Sequence, residues 1–142
     1  MVQMAGKIEH FRAKIAESEK ITINLGYIDL GHIDLLVQEG FYSNRTDLIR
    51  TAIRNQLDRH TDATKHSVAR RQLDLGLRTY SRRDLEAVRK AGETLDIQVL
   101  GLVVIAPDVS AHLARATIAS VQVLGAFQAS AEVKAALSDR IR

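Results

Sequence analysis

The chain has 142 residues, 46% apolar and 26% charged, with a formal net charge of +3 and no cysteine. That length holds one or two small domains rather than a large enzyme core, and the apolar content is too high for general disorder. Without cysteine there is no disulfide framework and no thiolate metal site. No apolar run reaches about 18 residues, and Lys7, Glu9, Arg12 and Lys14 break up the first twenty positions, so neither a signal peptide nor a membrane span is expected and the cytoplasm is the expected compartment.

Charge is unevenly spread. Residues 1–60 hold 8 Lys/Arg against 8 Asp/Glu, residues 61–95 hold 8 against 5, and residues 96–142 hold 4 against 4. The positive excess therefore falls in the middle, around Lys65, Arg70, Arg71, Arg78, Arg82 and Arg83, where it suits either a polyanion-facing surface or a solvated basic linker.

In chain order, Ile8, Phe11 and Ile15 lie at helical spacing among charges, which predicts a short amphipathic helix over 5–16. Lys20-Ile21-Thr22-Ile23-Asn24-Leu25 alternates polar with apolar and is rich in β-branched residues, the pattern of a strand with one wet and one buried face. Asp29 is placed to cap a helix carrying Leu30, Ile33, Leu36 and Val37 on one side, with Gly40 as its left-handed terminator. Ser43 or Asn44 then caps a second helix running to about Arg59, with Asp47 at its positive end and Leu48, Ile49, Ala52, Ile53 and Leu57 as its apolar face.

One strand and two helices in about 40 residues cannot bury a stable core alone, and a lone strand leaves an unpaired edge. A second copy completes both: the two strands form an antiparallel ribbon with Ile21, Ile23 and Leu25 inward and Lys20, Thr22 and Asn24 outward. A ribbon of this kind fits the major groove of B-DNA, and those three side chains carry donors and acceptors suited to base edges.

The alternating KITINL, the Gly-Phe-Tyr-Ser turn at 40–43 and SNRTDLIRTAI together resemble the ribbon-helix-helix transcription factors, the CopG, Arc and MetJ group, over residues 20–60. The resemblance implies an obligate dimer, base contacts from Lys20, Thr22 and Asn24, and a DNA phosphate held at Ser43, Asn44 and Arg45, chiefly through backbone N–H groups of the last two. Gly26 stands where many members have proline, and Gly31 lies early in the first helix.

The remainder is repetitive. Gln98-Val99-Leu100-Gly101 recurs as Gln122-Val123-Leu124-Gly125, and Val109, Ala111 and Leu113 recur 24 residues later as Val133, Ala135 and Leu137. A third copy starts at Leu75-Gly76-Leu77 and is followed by a helical stretch from Asp84 to Ala91. Periods of about 20–29 residues belong to strand-plus-helix solenoids. Strands are expected around Val99–Ile105 and Val121–Ala129, with Pro107-Asp108 opening a helix and Gly101 and Gly125 marking close backbone approach. The sequence thus predicts an α+β chain: a helical extension over 1–19, a ribbon-helix-helix domain over 20–60, a basic linker over 61–74, and a small solenoid-like α/β repeat module over 75–142.

No nucleophile with an oriented histidine, no metal-ligand spacing among His10, His32, His60, His66 and His112, and no phosphate loop is apparent. No enzyme activity, cofactor or metal is expected. The reading is a dimeric, sequence-specific DNA-binding regulator, a repressor that occupies an operator, with double-stranded DNA as partner and residues 95–142 left for a higher oligomer or a protein partner. Two alternatives stay open: an antitoxin or partition-site binder with a protein-binding tail, and a structural protein that polymerises through its repeats.

Overall fold

The computed structural model describes residues 18–142; the helix expected over 5–16 lies outside them. The described chain forms two compact units, residues 18–67 and 68–142.

In the first unit, residues 18–26 form neither helix nor paired strand in the single chain. Helix α1 follows (Tyr27–Gln38), then α2 (Arg45–Arg59), and α3 (Thr61–Arg70) runs across the boundary between the units. The start of α1 differs from expectation. Gly26, not Asp29, is the N-cap, with the Leu30 N–H bonding to its carbonyl at 3.1 Å, and Asp29 lies inside the first turn, where its charge complements the helix dipole. The other end is as expected: Gly40 adopts φ +85°, its N–H bonds to the Val37 carbonyl, and the Phe41 N–H bonds to that of Leu36. This 6→1 and 5→2 pair is a Schellman terminator, which needs a residue free to adopt a left-handed conformation. The stretch read as a basic linker, 61–74, is helical as far as Arg70.

The second unit is a three-stranded parallel sheet of β1 (Asp74–Tyr80), β2 (Leu95–Ile105) and β3 (Ile118–Gln128) in that order. Each strand is followed by a helix: α4 (Arg82–Lys90), α5 (Ala111–Thr117) and α6 (Ala131–Ala136). The three helices start alike. Ser81, Ser110 and Ser130 accept hydrogen bonds from the backbone N–H groups of Asp84, Leu113 and Val133 at 3.1–3.2 Å, satisfying one orphan donor at each N-terminus. Pro107 and Asp108 therefore do not open a helix. They sit in a turn closed by the Val109 N–H on the Ala106 carbonyl, and α5 begins one turn later, where Ser110 supplies the cap.

Leu85, Ile97, Val99, Val103, Ile105, Leu113, Ala114, Ile118, Val121, Val133 and Leu137 form one buried cluster between the sheet and its helices. The repeat period sets the strand register. Gly76 pairs with Gly101, 25 residues on, and Gly101 with Gly125, 24 residues further. All three have positive φ, at +122°, +142° and +125°. A Cβ on Gly101 would land on the Gly76 carbonyl, with the carbon 3.0 Å away and the oxygen nearer, and a Cβ on Gly125 would meet Gly101 in the same way. Only glycine combines that backbone conformation with so close an approach.

Candidate nucleic-acid interface

The strand-forming pattern at residues 20–25 has no strand partner among the described residues, and every residue in it is exposed. Lys20, Thr22 and Asn24 are accessible. So are Ile21, at 72%, and Ile23 and Leu25, which the sequence places on a buried face. The exposure continues through the unit: Tyr27, Ile28, Leu35, Leu36, Phe41, Ile53 and Leu57 are all open to solvent, and Ile33 is the one buried apolar residue among them. Fully burying an Ile or Leu stabilises by about 1.5–3 kcal/mol, so this unit in isolation forgoes most of the hydrophobic stabilisation its sequence encodes.

The turn between α1 and α2 is the second part of the site. Asn44 has extended backbone and its side-chain oxygen accepts the Asp47 N–H at 2.8 Å, while the Asp47 carboxylate accepts the Ser43 N–H at 3.0 Å. These reciprocal bonds fix the entry of α2 and occupy the Ser43 and Asp47 amides. Among the described residues no acceptor faces the backbone N–H groups of Asn44 and Arg45, which lie at the positive end of the α2 dipole. An open hollow here is lined by Ser43, Asn44, Thr46, Asp47, Arg50, Thr51 and Arg54.

The Arg45 side chain is engaged elsewhere. Its Nε and Nη2 donate to the two carboxylate oxygens of Asp34 on α1, both at 2.8 Å. This planar bidentate pair ties the two helices together, lowers the Asp34 carboxyl below the usual carboxylate range, chiefly through the hydrogen bond, and raises Arg45. The Arg45 guanidinium is therefore taken up by Asp34, while its backbone N–H has no hydrogen-bond partner among the described residues. The cations that line the hollow are Arg50 and Arg54, which the sequence reading missed; their i,i+4 spacing on the helix capped by Asn44 was the available signal. Among the described residues no group of His, Asp and Glu side chains is placed to hold a metal ion, and no helix is long and apolar enough to cross a membrane.

Residues 16–134 match the ribbon-helix-helix transcriptional regulator family. The chain belongs to that family. The match extends beyond the first unit and takes in all three strands of the second. Among characterised relatives, the chain is similar to the transcriptional regulator CdrS of Halobacterium salinarum, with 33% identity over 46 residues, which are 32% of this chain and 84% of that protein. No solved structure matches. Membership makes the protein a DNA-binding regulator by family.

Proposed function

We propose that this ribbon-helix-helix regulator acts as a homodimer through residues 20–60, reads the major groove with an intersubunit two-stranded ribbon, and represses by occupying its operator. The observation carrying this reading is the unpaired segment 20–25, whose polar and apolar residues alternate while all remain exposed in the single chain. Pairing with its twin puts Ile21, Ile23 and Leu25 of both copies over the helices. The same pairing puts two sets of Lys20, Thr22 and Asn24 on the opposite face, because side chains alternate along a strand. Lys20 donates to guanine O6 and N7, Asn24 matches adenine N6 and N7, and the Thr22 methyl and hydroxyl suit a thymine methyl or a base edge. The backbone N–H groups of Asn44 and Arg45 clamp a phosphate and set the ribbon's register on the duplex, with Arg50 and Arg54 adding charge beside them.

Selection of bound fragments from the source genome tests the proposal. A two-fold symmetric dimer enriches a pseudo-palindromic motif. Recovery of fragments without a shared motif contradicts sequence reading by this dimer.

A further inference from the structure

The sheet of the second unit ends on two edges that match each other. In β2 and β3 the side of each central glycine where a Cβ would stand is filled by the glycine carbonyl of the preceding strand; at Gly76 in β1 the same side is open, with nothing within 4 Å among the described residues. At the other edge, Gly125 shares the positive φ of Gly76 and Gly101, whose carbonyls each fill the space beside the next strand's glycine. The positive φ at these glycines makes both edges a poor template for an ordinary strand. A strand with a glycine of the same conformation at that level fits, and the strands of this chain have one.

Among the described residues, a segment near residue 141 pairs with β3 at one position. Residues 140–142 pair with β3 at Val121, through the Val121 N–H on the Arg140 carbonyl and the Arg142 N–H on the Val121 carbonyl, both at 2.9 Å. That segment is held down by Arg140 Nη1 on the Arg115 and Ile118 carbonyls and by the Arg115–Asp139 ion pair. In the sheet's own register, β1 begins at the level of Val99 in β2, and Val99 pairs with Val123 in β3. A strand equivalent to β1 placed beyond β3 thus starts two residues past the covered position. Its apolar side chains continue existing rows, since Leu75 pairs with Leu100 and Leu100 with Leu124, and Leu75 and Leu124 are 68% and 42% exposed.

We infer that the second unit joins copies of this chain head to tail, the β3 edge of one copy pairing in parallel with the β1 edge of the next, Gly125 opposite Gly76 and Leu124 opposite Leu75. A heterologous contact of this kind forms rings where the rotation closes and open arrays where it does not. With dimers also formed through residues 20–60, it links dimers side by side. The inference rests on the second unit alone: a chain that binds DNA but never grows beyond a dimer defeats this inference and leaves the DNA reading intact.

Sedimentation velocity of the full-length protein over a concentration series is the test. Wild type is expected to gain mass beyond two chains as concentration rises; a mass that stays at two chains throughout overturns the inference. Leu75→Glu with Leu124→Glu places like charges opposite each other only across the intermolecular junction, because within one chain these positions are two strands apart. It is expected to move assembly to about tenfold or more higher concentration. Leu75→Lys with Leu124→Glu restores assembly towards wild type. Equal assembly by the like-charge and opposite-charge pairs overturns the proposed register.

Discussion

Replacing Gly101 by alanine separates backbone strain from strand contact, because Gly76 provides a control in nearly the same conformation. Both positions have positive φ, and alanine at either incurs strain on the order of 1–3 kcal/mol. They differ in surroundings: an added Cβ at Gly76 meets nothing within 4 Å among the described residues, whereas at Gly101 it falls on the Gly76 carbonyl. Relief at Gly101 requires β1 to move away from β2, adding about 1–3 kcal/mol of the kind seen when cores are overpacked. The expected loss is therefore roughly 2–6 kcal/mol for Gly101→Ala and about 1–3 kcal/mol for Gly76→Ala. Urea unfolding followed by far-UV circular dichroism, at concentrations where both variants are no larger than dimers, measures the difference. Hydrogen exchange locates it, with protection lost first along residues 74–80 in Gly101→Ala. Equal destabilisation by the two substitutions would refute the close approach of the strands.

Other outcomes follow from the first unit. Asn44→Ala removes the cap on the Asp47 N–H and is expected to cost about 1 kcal/mol, measured as a lower urea midpoint, while Asn44→Asp retains most of it. Ile21→Asp with Ile23→Asp charges the inner face of the ribbon and is expected to give a monomer with reduced helicity by light scattering and circular dichroism; a helical dimer would contradict pairing through this segment. The Asp34–Arg45 pair gives a pH dependence of known sign. The Asp34 carboxyl is lowered in the folded state, so its contribution is fully present above the unfolded carboxylate value of about 3.9 and is lost as pH falls through the folded value. The stability difference between wild type and Asp34→Asn is expected to be constant at neutral pH and to shrink only in acid. Arg54→Ala, at the hollow proposed to take a phosphate, is expected to reduce the slope of log affinity against log salt by roughly one unit per phosphate-neutralising charge removed.

Much of this was legible because local chemistry and repetition specify it. Gly40 and Asn44 announce a helix end and a helix start through conformational freedom and capping, which act within a few residues. The glycines at 76, 101 and 125 announce strand register through their period, since stacked copies of one unit must align. The ends of elements were less legible where two signals compete. Pro107-Asp108 and Ser110 both resemble helix starts, and the hydrogen bond from the Leu113 N–H to the Ser110 hydroxyl decides for the second. Asp29 looked like a cap, but Tyr27 and Ile28 continue the helix back to Gly26. Least legible were pairings between distant residues. The Arg45 guanidinium gives no local sign of a protein partner until the packing of α1 on α2 delivers Asp34 to it, and Arg115 meets Asp139 across 24 residues. Nothing in either local sequence marks its partner, because the partner is set by which helix faces meet.

Fluorescence anisotropy on a duplex carrying the selected motif tests the central claim most directly, comparing wild type with the Lys20→Ala, Thr22→Ala, Asn24→Ala variant at fixed salt. All three positions are exposed, so the variant is expected to keep the fold of the wild-type chain, checked by circular dichroism. It is expected to lose its preference for the motif, at about 1–3 kcal/mol for each good bidentate base contact removed. Unchanged preference for the motif would contradict sequence reading by this segment.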